Sequence, residues 1–481
     1  MYYNYRMNMY ILQHIIQFHC KIQLTDLLVL GVSGGADSLC LLDVMRRLGY
    51  PVVAAHFNHQ LRPQAEADEQ AVKKLAADWQ LPFVCGRGDV AEFARLERLS
   101  LEEAARKLRY TFLFEQARQA GAAAVAVAHH AGDQVETILM HFLRGSGIAG
   151  LRGMQVRTTM SEWDAEIPLI RPLLGVSREE IEHYCLERGL QAQQDATNAD
   201  AAYFRNRLRL ELIPELERYN PNFRAGILQM ANVMAGEEQL LQECTSEAWQ
   251  ECCQQVNPGV VQINPPVFST FPRPLQRRLL REGMGRLLPD LRDLDFAAVE
   301  RGLDYLDERP TRGRVDIIRG VSLAADLDAC FLLKPGAVMP PGDFPQVPAG
   351  REIEVPLEGE IELENNWRIR LEMVERPTTF AGGAENKLWL DPERWAGKLL
   401  IRRWRRDDQF EPMGMDGKRV KVGDWFAKQH LPHRARSGWP VLAAGDDILW
   451  VVGKRAAESG KILPETGNVI CLSLLRPGRA A

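Results

Sequence analysis

Between residues 25 and 215 the chain alternates short apolar runs with stretches whose apolar positions recur at three- and four-residue spacing. Residues 27–32 (LLVLGV) are apolar throughout and of strand length, and residues 38–48 carry the helical spacing. Residues 52–56 predict the next strand and 65–79 the next helix; 83–85, 100–119, 122–128 and 133–143 continue the alternation. Strands without a polar face, interleaved with helices, predict a parallel sheet covered on both sides, an α/β doubly wound domain. Such sheets take their ligands at the carboxyl ends of the strands. Residues 223–309 then read as helical, and 313–375 switch to strand alternation (VDIIRGVSL, EIELENNWRIRLEMV), divided by a Pro-rich connector at 339–348. The pattern therefore predicts an α/β domain over 1–220, a helical domain over 221–310, a strand-rich connecting region over 311–398 and a smaller α+β C-terminal domain over 399–481.

Composition narrows the classes. At 481 residues the chain has room for about three domains, and 46% hydrophobic with 26% charged residues is ordinary globular usage, which excludes disorder and fibrous repeats. The net charge of −5 excludes a basic protein that coats nucleic acid, so a polyanion has to be met by local patches. None of the nine cysteines has Cys-x-x-Cys spacing, and the adjacent Cys252 and Cys253 make a poor chelate. A reducing cytoplasm fits that usage. No apolar run approaches the ~18 residues of a membrane span. Residues 1–24 lack a basic start and a small-residue cleavage site, and are expected to form a leading helix rather than a signal peptide.

The first strand runs directly into Ser33-Gly34-Gly35-Ala36-Asp37-Ser38 and then a helix. The glycines let backbone approach a ligand closely, the helix N-terminus directs free amides at an anion, and the two serines add hydroxyl donors. A carboxylate beside a phosphate makes sense with a cation between them, so Asp37 points to Mg²⁺. The loop has neither the Lys-Ser/Thr ending of a Walker motif nor the Gly-x-Gly-x-x-Gly of a dinucleotide site. Its bland alternative is a tight turn with a capping Asp. Further on, Ser100 and Glu103 predict a capping box. The helix behind them is expected to bury Leu101, Ala104, Ala105, Leu108 and Phe112, leaving Arg106 and Arg109 off the core. The strand at 122–128 leads to His129 and His130, and the helix from Asp133 sets Asp133, Glu136, Thr137 and Met140 on one side, away from Val135, Ile138, Leu139 and Phe142. Two basic clusters stand out in an acidic chain. Arg205, Arg207 and Arg209 lie beside Tyr203 and Phe204. Arg402, Arg403, Arg405 and Arg406 surround Trp404, with Lys418, Arg419 and Lys421 nearby.

Together with His56-Phe57-Asn58-His59-Gln60-Leu61-Arg62, Glu103-Ala104-Ala105-Arg106, Leu143-Arg144-Gly145-Ser146-Gly147, Arg171-Pro172-Leu173-Leu174 and Asp195-Ala196-Thr197-Asn198, these motifs in this order resemble the PP-loop ATP pyrophosphatases. Within that superfamily they resemble the tRNA(Ile)-lysidine synthetases, densely over residues 25–219 and again over 399–455. The resemblance implies an adenine-nucleotide α-hydrolase-like sheet, use of ATP and Mg²⁺, and ligation of L-lysine to carbon 2 of the wobble cytidine in a CAU-anticodon tRNA(Ile). The reaction would pass through an adenylated cytidine, with release of AMP and pyrophosphate. It implies that Ser33, Gly34, Gly35, Ala36, Asp37 and Ser38 hold the nucleotide's phosphates, that His56 and Arg62 lie near its adenine and ribose, and that Asp37 and Asp133 carry the metal. Arg109 would act on the phosphates, Asp133 or Glu136 on the incoming amine, and His130 on the substrate or departing charge. His129 reads equally as a packing residue. The arginine clusters at 205–209 and 402–406 would grip the tRNA. Two departures stand against the family pattern, Gly132 in place of an aspartate and Asp407 in place of a glycine. A sulfur-transfer PP-loop enzyme, an ammonia-releasing one and a tRNA-binding protein with a vestigial ATP site are the rival readings, and a homodimer is left open.

Overall fold

The computed structural model describes residues 7–61, 65–193, 204–289, 294–308, 310–327, 329–376, 386–391, 398–415, 417–462 and 467–476. Arg62, Tyr203 and the motif at 195–198 lie outside the described residues. The chain divides into two compact units, 1–240 and 241–481.

In the first unit the leading helix α1 (Met9–His14), capped by Asn8, runs into a π-helical turn at Ile15–His19 and buries Leu12 and Ile16 in the core. There follow β1 (Leu28–Gly31), α2 (Ala36–Arg47), β2 (Val52–Asn58), α3 (Ala65–Asp78), β3 (Phe83–Arg87), α4 (Val90–Glu97), α5 (Leu101–Ala120), β4 (Ala124–Ala126), α6 (Ala131–Leu143), α7 (Ile148–Leu151), β5 (Arg157–Met160), β6 (Asp164–Ile170) and α8 (Arg178–Glu187). The sheet order is β3-β2-β1-β4-β6-β5, parallel except for the edge strand β5. One face buries Leu28, Leu30, Ala54 and Ala126 with the apolar side of α2. The other buries Val29, Val53, Val125 and Leu169 under α5. The chain leaves β1 towards one side of the sheet and β4 lies on the other, which creates the crevice in which ligands of open α/β sheets bind.

α5 buries Tyr110, Leu113, Phe114 and Ala117 against the sheet, while Leu101 is exposed; Ala105 and Leu108 pack towards α4 instead. Of the expected stripe, Ala104 is buried, Ala105 and Leu108 pack with it and Phe112 packs against the sheet cluster, so Leu101 alone departs from the expectation. The hairpin β5–β6 was not foreseen. Its outer strand, RTTM, has no apolar run, since an edge strand needs only one covered side.

In the second unit, the stretch expected to be wholly helical contains the strands Cys253–Asn257 and Val260–Ile263. They join Arg312–Ile318, Val321–Asp326 and Ala329–Leu333 in one five-stranded antiparallel sheet, so hydrogen bonding runs across the 310/311 division read from sequence. The helices Arg273–Leu287 and Phe296–Asp307 bury Leu279, Leu280, Met284, Val299 and Leu303 against it. Beyond the connector, Glu352–Glu354 pairs with Leu399–Arg403, and Arg368–Glu375 with Asn468–Leu475. Those pairings place strands from the connecting region inside sheets whose core is closed by Trp450, Leu442 and Leu472. Trp425, Phe426 and Trp439 form a second apolar cluster beside them, as local core.

Candidate active site

The loop after β1 forms around its serines. Ser38 Oγ donates to the Gly35 carbonyl at 2.9 Å and accepts from the Ser33 amide at 3.2 Å, and the two hydroxyls are 3.2 Å apart. Gly34 has φ +90°, the region that favours glycine, and its carbonyl accepts from the Gln193 amide at 3.1 Å. Gly35 caps α2 without a side chain, so the first-turn amides remain free for an anion. A cleft of about 440 Å³ opens at this end of the sheet, lined by Ser33, Asp37 and Ser38 from the loop, His56 and Asn58 from β2, Arg109 from α5, and His129 and Asp133 beyond β4.

Each lining residue is held differently. Asp37 accepts from Arg178 Nη1 through both oxygens, at 2.7 and 2.9 Å. Arg178 opens α8 directly after its Ser177 cap and also binds Glu182 at 2.7 Å. Nothing in the sequence motifs singled out Arg178; a cation immediately after a Ser-x-x-Glu capping box was the available signal. His56 is buried and donates from Nδ1 to the Val32 carbonyl at 2.8 Å, leaving Nε2 a bare acceptor, and burial pushes its pKa down. Asn58 is structural: it donates to Glu69 at 3.0 Å and to the Ala65 carbonyl at 3.2 Å. The Arg87 guanidinium on Glu69 holds that carboxyl at about 2. Arg109 Nε is buried without a hydrogen bond among the described residues, with its guanidinium near the Tyr110 ring.

The two histidines after β4 exchange the roles read from sequence. His130 is the N-cap of α6: its Nδ1 accepts from the Gly132 amide at 3.0 Å, while the Asp133 side chain accepts from the His130 amide at 3.0 Å. It is buried and does not line the cleft. His129 does line it, and burial pushes its pKa down to about 3, against the pull of Asp133 and with Arg171, Arg109 and Arg205 adding to the effect. Gly132 is explained by the same cap, because a Cβ there would stand 2.7 Å from His130 Cε1.

Glu136 is 1% exposed and accepts from Arg205 Nε at 2.7 Å and Arg209 Nε at 2.6 Å. The same two guanidiniums come within 3.6 Å of Asp133 Oδ1. Burial works against the charge of Asp133, but His130 and Arg205 more than offset it and lower its pKa. Two assignments change here. Glu136 is saturated by arginines rather than open to an ammonium, and Arg205 and Arg209 are bound at the site rather than displayed in a surface row. The segment is helical, so residues four apart share a face and Arg207 alone points outward, over the Phe204 ring. Among the described residues no three His, Cys, Asp or Glu side chains converge as a metal cage. Asp37 and Asp133 on one cleft suit a cation that brings its other oxygens with it on a nucleotide.

In the second unit Arg402 is buried and binds Asp408 through both Nη atoms at 2.8 and 2.9 Å, so it is an internal ion pair and not an RNA contact. Arg403 donates to the Val347 carbonyl, Arg405 reaches Glu352 at 2.9 Å, and Arg406 is exposed with no hydrogen bond among the described residues. Arg403 and Trp404 line a cavity of about 640 Å³ with His433, Arg434 and Arg436. Arg434 is itself an internal partner of Asp326, with its side chain 5% exposed, and Arg436 donates to the Leu431 carbonyl at 2.9 and 2.7 Å.

The PP-loop domain family matches residues 8–216, and the TilS substrate C-terminal domain family matches 399–471. The chain is 35% identical over 443 residues to the tRNA(Ile)-lysidine synthase of Geobacter sulfurreducens, covering 91% of this chain and 90% of the relative. It belongs to the tRNA(Ile)-lysidine synthase family. A second member, from Dehalococcoides mccartyi, is 34% identical over 453 residues, 92% of this chain and 94% of the relative. The expected fold class, the use of ATP by the PP-loop domain and the modification of tRNA(Ile) to lysidine accordingly stand for this synthase. Among the described residues no helix is long and apolar enough to cross a membrane.

Proposed function

We propose that the cleft at the ends of β1 and β4 carries both half-reactions of lysidine synthesis in the cytoplasm, with ATP, Mg²⁺, L-lysine and the CAU anticodon loop as its ligands. The observation that carries this reading is the meeting of the serine-glycine loop, Asp37, Arg109, His129 and Asp133 on one crevice. The free amides of α2 and the hydroxyls of Ser33 and Ser38 receive phosphate oxygens, and Arg109 offers its guanidinium to the same charge. Asp37 and Asp133 would hold Mg²⁺, which supplies neutralisation of the triphosphate. Cytidine O2 attacks the α-phosphorus, and the bond to the bridging oxygen breaks with loss of pyrophosphate. The lysine ε-nitrogen then attacks C2, and AMP departs with the former base oxygen.

The ε-ammonium has a reference pKa near 10.4 and must shed a proton to attack. Asp133, with its lowered pKa, is a weak base but a strong counter-charge. It suits holding the charged nitrogen near C2; the first proton passes to water before attack, and the second leaves once the new bond has made the nitrogen acidic. Glu136 fixes Arg205 and Arg209 beside Asp133. The exposed side chains of Arg405 and Arg406, with Arg403 beside them, are the candidate for gripping tRNA phosphates.

Purified protein with ATP, Mg²⁺, lysine and a CAU-anticodon tRNA(Ile) transcript is expected to give lysidine by nucleoside mass spectrometry, and elongator tRNA(Met) with the same anticodon to give none. Asp37→Asn should abolish AMP release while tRNA binding persists. Turnover retained in that variant would refute the role given to Asp37.

A further inference from the structure

The motif Arg171-Pro172-Leu173-Leu174 was singled out in the sequence but has no part in the scheme above. Arg171 follows β6 and is 4% exposed, an unusual place for a guanidinium. Its Nη1 donates to the Gln155 carbonyl at 2.8 Å and to Thr158 Oγ1 at 3.1 Å, both on the β5 side of the sheet. Its Nε donates to His129 Nδ1 at 3.3 Å. An arginine has only donors, so the nitrogen it meets on the imidazole must be bare. The ring hydrogen then resides on Nε2, on a residue that lines the cleft.

The geometry points to Arg171 as a positioning residue that locks His129 in its Nε2–H tautomer and thereby makes it a hydrogen-bond donor to an acceptor oxygen of the reactants. This rests on the proposed function of the cleft and deepens it. With Nδ1 occupied and Nε2 protonated, His129 has no lone pair to offer the ε-ammonium, and it is not the base of the second half-reaction. A neutral donor beside the Arg109 guanidinium suits an oxygen whose negative charge grows, either on the transferring phosphoryl group or on O2 as the base is activated. The anchorage to Gln155 and Thr158 fixes the guanidinium plane, so the imidazole does not choose its own tautomer.

The test is ¹⁵N-histidine labelling of the full-length protein, with the His129 signals assigned by their loss in His129→Gln. The expected wild-type spectrum shows a bare Nδ1 and a protonated Nε2, and the opposite pattern overturns the proposal whatever the enzyme's activity. In Arg171→Met the tautomers should mix, and kcat for lysidine formation should fall on the order of tenfold, as when the partner that orients a functional histidine is removed. The KM for ATP should change little. Thr158→Val, which removes one of the two bonds that fix the guanidinium without touching the imidazole, should move spectrum and kcat in the same direction as Arg171→Met but by less. A folded Arg171→Met with unchanged kcat would overturn the proposal; if that variant does not fold, the wild-type spectrum decides. Absence of lysidine from a wild-type protein with the expected spectrum would instead strike at the proposed function and leave the tautomer lock standing.

Discussion

Replacing Glu136 by Gln tests whether the carboxylate between Arg205 and Arg209 holds the site together. The native side chain is 1% exposed and accepts two charge-assisted bonds, at 2.7 and 2.6 Å, from guanidiniums 26% and 36% exposed. Glutamine keeps one acceptor oxygen and turns the other position into a donor facing a cation. One charge-assisted bond, worth about 1.5–3 kcal/mol, is lost outright, and the other falls to the roughly 0.5–1.5 kcal/mol of a neutral acceptor. The arginines' exposure lets water recover part of this, and Asp133 Oδ1 remains within 3.6 Å of both. The net expectation is about 2–3 kcal/mol, or roughly 4–12 °C in the melting of a unit of this size. The assay is thermal unfolding of the full-length variant followed by circular dichroism, with lysidine formation measured beside it. Activity should fall more than stability accounts for at the assay temperature, because Arg205 and Arg209 lose their anchor. Arg209→Met combined with Glu136→Gln should cost less than the sum of the two single changes, since the groups touch. An unchanged melting temperature with strictly additive double-variant costs would refute the clamp.

Further expectations follow from the other contacts. Glu69, held at about 2 by Arg87, has a folded pKa below its unfolded value near 4.3, so its contribution is full above that value and is lost as pH falls towards 2. The stability gap between wild type and Glu69→Gln should therefore be constant near neutrality and close between about pH 4.3 and 2 in acid titrations. Gly132→Ala should destabilise the wild type, where the new Cβ meets His130, yet stabilise a His130→Asn background by up to about 1 kcal/mol through helix propensity, as denaturant melts can show. Arg402→Met should lower stability by about 3–5 kcal/mol by stranding buried Asp408. Arg406→Gln should leave the melt unchanged and reduce the salt slope of tRNA binding by about 1.

The parallel sheet was readable because strands buried on both faces, such as LLVLGV, are apolar throughout and each is followed by a helix of clear period. The serine-glycine loop was readable because backbone approach to a phosphate demands small residues at fixed places. What escaped depends on contacts distant in sequence. Whether His129 or His130 faces the cleft is decided by which residue becomes the cap of α6, and histidine is not a residue that advertises a cap. The basic cluster at 402–406 counted charges without their partners: Asp408 lies close by, but its burial with Arg402 emerges only when the sheet closes. The hairpin at 253–263 stayed hidden because its first strand, CQQVN, is polar and short and lies between helices.

The grip of Arg178 on Asp37 bears on the order in which reactants arrive. A bare carboxylate at the mouth of the loop would attract the small ammonium of free lysine and would seat it where the triphosphate belongs. With both oxygens of Asp37 already taken by one guanidinium, a lone ammonium gains little by entering. A polyphosphate offers Arg178 a new acceptor in exchange, so it can release the carboxylate at small cost. On the proposed roles, that exchange would bias the resting enzyme towards a sequence in which nucleotide enters first and the amine comes later. That is the sequence the chemistry needs, because the amine has nothing to displace until the base has been adenylated.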